Sequence, residues 1–346
     1  MNQGPLHQRH LSSNAKFGEI EGFSIPMQHG EASTEYESVR KGAGLIDLPH
    51  VATARLEGPD ARRFCNGMFT NNIRALQPGH GNRSAMCDDR GRILGLIDLF
   101  CTDEDQFEAV LEGVTAEWFE SRYGLYIVFD DVELEVSQGE PWILSLQGPQ
   151  AAQILQKAGL PIPNPGEHCE ADPELRIVHK DRSGIGGFDL IVSTPKADSI
   201  WSQLLTAGAT PMGYNTLERL RIEHGRARWP VDGTEKSLVH ELGLDKEVCN
   251  FNKGCYLGQE IINRVDVKGQ FNKKIHKILI EGGTTDVIGA KVLLGESEVG
   301  TVTSATNTQD GAVALAVLRK AAWGTEETLN ISTQSGMFSG SIQGLE

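Results

Sequence analysis

Long apolar runs are missing from this sequence of 346 residues. The best candidate for a membrane span, residues 312–318, has only the length of a strand, whereas a spanning helix needs about 20 apolar residues. The first 18 residues also lack the apolar core of a signal peptide. These absences favour a cytoplasmic protein that has no membrane partner.

Positive charge is scarce as well. Lys and Arg together number 32 against 47 Asp and Glu, which gives a net charge of -15. Proteins that bind nucleic acid or anionic lipid use a basic surface, because Lys and Arg make the phosphate contacts. The charge balance therefore argues against nucleic acid and membranes as direct partners.

Cysteines at metal or redox spacing are absent. The six cysteines are scattered, and the sequence contains neither a CxxC pair nor a His/Cys cluster at zinc spacing. We therefore predict no metal site, and free thiols in a reducing compartment for most of the cysteines. They occupy positions 65, 87, 101, 169, 249 and 255.

The first three quarters of the chain alternate short strands with helices, which predicts an α+β fold. Residues 31–41 have a helical pattern, and strands at 83–87 and 92–101 flank Asp89-Arg90-Gly91, a hairpin turn. Residues 160–173 hold four prolines and are predicted to form a surface loop.

Two Gly-Pro pairs, Gly58-Pro59 and Gly148-Pro149, each follow a strand and precede a helix. This suggests an internal repeat of two α+β units. From residue 275 onward the pattern changes to short strands between Gly-rich turns, which is typical of a small β-barrel. The sequence thus predicts a domain boundary near residue 272.

Residues 253–260, K-G-C-Y-L-G-Q-E, have the most informative local chemistry. Two glycines around a Cys-Tyr pair form a turn that brings backbone close to a ligand. Lys253 stands two residues from Cys255 and favours the thiolate, which is the reactive form of cysteine. The alternative is that Cys255 is a small buried apolar residue and that Glu260 caps a helix.

This octapeptide resembles the motif K-G-C-Y-x-G-Q-E, by which the YgfZ family is identified, and matches it at every defined position. Further segments resemble the related glycine cleavage T-protein. Residues 220–225, L-R-I-E-H-G, are similar to its L-R-x-E-x-G segment, and residues 22–28, which include Met27, are similar to its early G-W-x-M-P-V-Q. Residues 300–304 resemble its G-x-V-T-S. The resemblance extends from about residue 17 to about residue 333.

The resemblance implies the three-domain T-protein fold, with two interleaved α+β units and a small carboxy-terminal β-barrel. We place a folate-binding α+β domain at residues 1–50 plus 140–272. The second α+β domain is expected at residues 51–139, and the barrel domain at residues 273–346.

The resemblance also implies a tetrahydrofolate site. Glu223 takes the position of the pterin-binding carboxylate, which can accept two adjacent N–H groups. Cys255 is implied as the catalytic thiol. Further cofactor contacts are expected from Arg221, Lys253, Tyr256, Gln259 and Met27.

Alternatives remain for several of these residues. Glu223 can be a solvated helix residue, and Arg221 can form a salt bridge on its own helix. Trp229 either stacks on the pterin or belongs to the core. A basic run at 264–277, with five Lys or Arg against Asp266, is either a solvated linker, a seat for the folate carboxylates or a docking site for an acidic partner.

The sequence departs from the T-protein enzymes at their catalytic acidic pair. Gly95 and Leu96 stand at those two positions. Asp98 comes three residues after Gly95, and this odd spacing puts it on the other face of a strand. No obvious group is left for general acid–base catalysis, so ordinary aminomethyl transfer is not expected. The glycines at 184–187 are followed by a strand pattern, which argues against a dinucleotide site.

Two functions follow as hypotheses. The YgfZ resemblance implies a folate-binding accessory factor for iron–sulfur cluster assembly or repair, with cluster-dependent tRNA-modifying enzymes among its clients. Its partners would be reduced folate and iron–sulfur client or assembly proteins. One cysteine cannot hold a cluster, which needs about four thiolates. The second hypothesis is a folate-dependent one-carbon transferase or demethylase, with Cys255 or Asp98 replacing the acidic pair.

Overall fold

We describe a computed structural model of the chain over residues 1–269, 271–282, 285–308 and 311–344. Position 270, in the basic run, and positions 283, 284, 309, 310, 345 and 346, in the expected barrel domain, lie outside the described residues. The α-helices of the described ranges are His7–Ser12, Ala32–Lys41, Ala61–Met68, Ala116–Tyr123, Ala151–Lys157, Thr194–Ala207, Tyr214–Glu223, Asp245–Val248 and Gln259–Lys268. All of them are too short or too polar to span a bilayer.

The contacts within the chain divide it into two compact units. The first unit comprises residues 1–65, 73–83 and 97–217, and the second comprises residues 66–72, 84–96 and 218–346. The chain thus returns to each unit more than once. The predicted three-domain division stays a prediction.

A six-stranded mixed sheet organises much of the first unit. Its strands lie in the order His168–Asp172, Leu175–His179, Gly187–Val192, Trp142–Gln147, Gly44–Asp47 and Thr210–Pro211. Apolar residues of its central strands pack against the helices Ala151–Lys157 and Thr194–Ala207, with Trp201 fully inside. A small sheet of Asn2–Gln3, Phe23–Gln28 and Lys16–Ile20 belongs to the same unit.

A five-stranded sheet contains the predicted hairpin. Its strands lie in the order Gly81–Cys87, Ile93–Asp103, Gln106–Glu112, Ala52–Glu57 and Glu133–Gln138. The first two strands flank residues 89–91, and Gly91 has φ +70°, the left-handed conformation that glycine adopts without strain. The predicted hairpin and its turn are thus confirmed.

The two Gly-Pro turns form the same local structure. Gly58 and Gly148 have φ of +125° and +141°, and a Cβ at either position would lie 2.4 and 2.5 Å from the carbonyl oxygens of Asp131 and Gly42. The carbonyls of Gly58 and Gly148 accept hydrogen bonds from the N–H groups of Ala61 and Ala151, the residues at which the next helices begin. The strand, Gly-Pro, helix pattern is therefore present twice.

The predicted loop at 160–173 is partly wrong. Residues 168–172 form an edge strand, His168–Asp172, which pairs in antiparallel register with Leu175–His179. The prolines stand only at positions 161, 163, 165 and 173, so the segment between them keeps its backbone donors for the sheet.

The barrel prediction is confirmed. Six antiparallel strands close on themselves, and their inward Ile, Val, Leu and Ala side chains form a core. The first strand begins at Lys273, next to the boundary that the sequence indicates. In barrel order the strands are Lys273–Glu281, Gly311–Arg319, Ser297–Asn307, Lys291–Leu294, Leu329–Ser332 and Met337–Gln343.

Candidate functional site

Cys255 lies in an irregular loop of the second unit, directly before the helix Gln259–Lys268, and it is exposed. Among the other cysteines, four are buried and Cys169 is half-buried. The Leu257 N–H donates to the carbonyl of Gly67 at 3.0 Å, which fixes the loop just beyond the thiol. Cys255 is thus presented to solvent by an anchored segment.

Lys253 anchors the other side of this loop. Its ammonium donates to the backbone carbonyls of Asn66, Phe69 and Asn71 at 2.7, 2.6 and 2.6 Å. It also lies 4.9 Å from the ring centre of Tyr256, within the range of a cation–π contact. These contacts give Lys253 a structural role, and its predicted role toward a ligand stays a prediction.

Tyr256 is buried, and its hydroxyl has no hydrogen-bond partner among the described residues. Burial raises the pKa of its phenol, so the group remains a donor. The ring packs in the apolar core of the second unit, and the predicted role of Tyr256 toward a ligand stays a prediction. Gln259 stands half-buried at the first position of the helix that follows.

Gly258 packs against the hairpin turn within the same unit. It has φ +82°, and a Cβ there would lie 2.6 Å from the carbonyl oxygen of Asp88 and 2.9 Å from Cα of Gly91. Gly254 meets no atom within 4 Å of such a Cβ. Packing and backbone conformation thus require glycine at position 258, whereas neither requires it at position 254.

Glu223 is the last residue of the helix Tyr214–Glu223. Its carboxylate accepts from Arg219 Nε at 2.9 Å, and 17% of the side chain is exposed. Lys277, from the basic run, donates to the Glu223 carbonyl at 3.2 Å, where the negative end of a helix favours a cation. Arg264, Lys268 and Lys273 of this run are exposed.

Arg221 is 3% exposed and belongs to a buried ion network. Its guanidinium pairs with Glu218 and with Asp232, each at 2.8 Å, and donates to Ser304 at 2.8 Å. Burial opposes ionisation of Glu218, but the hydrogen bond from Arg221 and the charges of Arg221 and Arg228 hold its pKa below the ordinary value. The geometry is that of the salt-bridge alternative, and the ligand role of Arg221 stays a prediction.

The role of Asp232 was not predicted from the sequence. It is fully buried and accepts from Arg221, the Arg228 N–H, Thr303 and Ser304. The spacing of Glu218 and Arg221, three residues apart on one helix, could have indicated part of this network. The link to Ser304 joins segments that are distant in sequence.

Trp229 and Leu96 share one apolar core in the second unit. The Trp229 indole N–H donates to the carbonyl of Leu94 at 3.2 Å, and its ring is 6% exposed. Trp229 is therefore a core residue. Leu96 is 1% exposed, so a buried apolar side chain takes one of the two positions of the acidic pair in the T-protein motif.

In the first unit, Met27 lies half-buried in the strand Phe23–Gln28 and packs against Gly18. Asp98, also in this unit, pairs with Lys180 at 2.6 Å, and both side chains are buried. Glu112 lies 3.4 Å from Lys180 and 2.6 Å from Arg182. Asp98 is therefore engaged in an ion network that the sequence did not indicate.

The glycines at 184–187 lead into the strand Gly187–Val192, as predicted, rather than into a helix. In the described ranges, His, Cys, Asp and Glu side chains form no group of three or more that could hold a metal ion.

A family model described as "GCVT N-terminal domain" matches residues 6–253. The chain belongs to this family. Its T-protein-like fold is confirmed by the glycine cleavage system aminomethyltransferase T of Bartonella henselae, with a TM-score of 0.91, 22% identity and coverage of 99% of this chain and 97% of that one.

Curated relatives of similar length are named aminomethyltransferase. The protein of Rubrobacter xylanophilus is 27% identical over 87% of this chain and 82% of its own length. That of Thermosipho melanesiensis is 28% identical over 92% of this chain and 90% of its own length. Similarity thus extends over most of both chains at modest identity.

Proposed function

We propose that this protein binds tetrahydrofolate and acts as an accessory factor in iron–sulfur cluster assembly or repair, as the YgfZ resemblance implies. The observation that carries the proposal is the exposed thiol of Cys255 within the octapeptide, on a loop that Lys253 and Gly258 hold in place. Fixed loops that present a reactive group are a common way to build a functional site.

The donor set of the second unit suits a reduced folate. Glu223 offers a carboxylate for the pterin N–H groups, and an ionised carboxylate accepts several hydrogen bonds at once, so its pair with Arg219 is compatible with a ligand. The Tyr256 hydroxyl, without a partner among the described residues, can donate to an acceptor. Exposed Lys268 and Lys273 suit the carboxylates of a glutamate tail.

Bound tetrahydrofolate would supply a one-carbon acceptor or donor. The contribution of Cys255 would be a nucleophilic thiolate toward that one-carbon unit, or a single ligand toward a cluster on a client protein. Cys255 alone would not retain a cluster, because the other cysteines are buried or half-buried.

Aminomethyl transfer is the second candidate, because the curated relatives have this name. The buried apolar side chain of Leu96 and the ion pair of Asp98 speak against it. A glycine cleavage assay with aminomethylated carrier protein distinguishes the two. We expect no folate-dependent ammonia release above background, and robust release would favour the transferase.

Folate binding is tested by calorimetry with tetrahydrofolate on the full chain. We expect Glu223→Gln to weaken binding by about 1.5–3 kcal/mol, the usual contribution of a hydrogen bond to a charged group. Glu117→Gln, on an exposed helix position, is the matched control and should leave the affinity unchanged. Failure of every reduced folate to bind would refute the folate part of the proposal.

The accessory role is tested in cells that lack the gene. The activities of cluster-dependent enzymes should be lowered, restored by the wild-type chain and by Cys169→Ser, and not restored by Cys255→Ser. Full restoration by Cys255→Ser would remove the thiol from the proposal.

A further inference from the structure

The segment after the helix Ala116–Tyr123 exposes an unusual amount of apolar surface in the first unit. Leu125, Val128 and Phe129 are 75%, 71% and 96% exposed, and Tyr126 is 38% exposed. Single exposed apolar residues are ordinary, but four within five residues form a contiguous patch, which marks an interaction site. We call residues 125–129 the apolar tip.

The apolar tip has a defined backbone. Its residues 127–129 form one turn of 3-10 helix, and the Asp130 N–H donates to the Ile127 carbonyl at 2.8 Å. The Tyr126 N–H donates to the carbonyl of Tyr123, whose side chain is fully buried. Beyond the tip, the Asp131 N–H donates to the Asp60 carboxylate at 3.0 Å. The exposed side chains are thus presented by a structure that needs little ordering on binding, which favours affinity.

Acidic residues surround the tip in sequence and along the neighbouring elements. Between residues 117 and 135 one base, Arg122, stands among six acids, and two arginines of neighbouring elements reach two of these acids: Arg63 pairs with Asp130, and Arg55 lies 3.9 Å from Glu135. The charge around the tip remains negative, and the six acids are Glu117, Glu120, Asp130, Asp131, Glu133 and Glu135. A cavity of about 680 Å³ opens beside the helix and the strand that flank the tip, with Glu120 and Glu135 among its lining residues. Basic side chains of a partner could enter this cavity.

The negative charge around the apolar tip indicates which kind of partner can bind there. A second copy of this chain would bring one acidic rim against another, in a protein whose net charge is -15. An anionic membrane would be repelled in the same way. A protein surface with Lys and Arg around an apolar groove would be attracted, and like-charged proteins would be rejected.

We propose that the apolar tip inserts into an apolar groove of a partner protein, and that Lys or Arg side chains at the edge of that groove face the acids around the tip. Phe129 is the principal anchor, because it is aromatic and is the most exposed of the four side chains. The proposal depends neither on folate binding nor on Cys255, because none of the residues expected to contact folate lies in the apolar tip.

The first experiment places a photoreactive phenylalanine at position 129 in the full chain in living cells, with the same amino acid at Ile288 as a control. Ile288 is 55% exposed in the barrel region, and among the described residues within five positions of it no other large apolar side chain is exposed. The adduct formed at position 129 is identified by mass spectrometry. An adduct with this chain itself, or no adduct above that of position 288, overturns the proposal.

The second experiment purifies the protein identified in this way and measures its affinity for the full chain by calorimetry. We expect Phe129→Ser to weaken binding by about tenfold or more, as for a central aromatic anchor, and Ile288→Ser to have no effect. Because Phe129 is almost fully exposed, its serine variant should keep the wild-type melting temperature. Equal affinities of wild type and Phe129→Ser, affinity that does not fall with added salt, or binding of the wild-type chain to phosphatidylglycerol vesicles would each contradict the proposal.

Discussion

Solvent access separates Cys255 from the other five cysteines. Burial raises the pKa of Cys249 to about 12 and that of Cys87 well above its ordinary value, so these thiols have little thiolate near neutral pH. Limited alkylation with iodoacetamide should therefore label Cys255 first. Peptide mass spectrometry after a short reaction measures the order of labelling.

Bound tetrahydrofolate should slow the labelling of Cys255, if the thiol faces the ligand as proposed. Cys169, which is half-buried, provides the internal reference because its labelling should not respond to folate. Labelling of Cys255 at the rate of Cys87 would show that the loop hides the thiol in solution.

At single residues, the sequence predicted side-chain chemistry better than side-chain partners. An arginine followed by a glutamate in L-R-x-E-x-G indicates charged groups, and the structure places Arg221 in a buried network with Asp232 and Ser304. Lys253 was expected near a thiol, and its ammonium is held by three carbonyls of residues 66–71. Such partners come from distant segments, so no local pattern identifies them.

The two glycines of the octapeptide allow a prediction at the scale of the loop and its helix. Gly258→Ala would place a Cβ 2.6 Å from the Asp88 carbonyl oxygen, at a φ of +82°, and this oxygen accepts a hydrogen bond from the Gly91 N–H of the turn at 3.1 Å. We expect the melting temperature to fall, with a free-energy loss of about 1–3 kcal/mol. Thermal unfolding followed by circular dichroism measures it.

Gly254→Ala is the matched control, since the new Cβ would meet no atom within 4 Å. We expect the stability of this variant to equal that of the wild type. A loss of folate affinity in Gly254→Ala at unchanged stability would show that Gly254 admits a ligand. Equal stability losses in both variants would contradict the packing argument.

At the scale of elements, hairpins and barrel strands could be predicted, because alternation and turn residues are local signals. The strand His168–Asp172 could not, since it lies among prolines and depends on its pairing with Leu175–His179. Apolar periodicity also gave no indication of the apolar tip at residues 125–129, whose side chains are exposed rather than buried.

At the scale of the whole chain, the sequence predicted the kind of fold but not the assignment of every segment to a compact unit. Residues 66–72 belong to the unit that contains residues 218–346. One reason is the set of hydrogen bonds from Lys253 to carbonyls in that segment, which are more than 180 residues away in sequence. Contacts of this range cannot be inferred from one sequence.

The stability of the molecule should fall between about pH 6.5 and pH 4, partly because of His29. Burial, with a smaller effect of nearby His10, lowers the pKa of His29 from 6.5 to about 4. In this window the unfolded chain binds a proton at this position and the folded chain does not, so unfolding is favoured as the pH falls. Burial of His276, with the charge of Lys274, has the same effect in the barrel strand.

Replacing His29 with Gln tests this contribution. When the pH is lowered from 7 to 4.5, the unfolding free energy of His29→Gln should fall by about 1–2 kcal/mol less than that of the wild type. This value is smaller than the full pKa shift of His29 would give, because the imidazole is partly exposed. Asp47, whose pKa burial raises, acts with the opposite sign and is present in both proteins. Urea unfolding at the two pH values gives the difference, and His80→Gln, at an exposed histidine, should follow the wild type. If His29→Gln and wild type lose stability equally, His29 is protonated as readily in the folded chain as in the unfolded one.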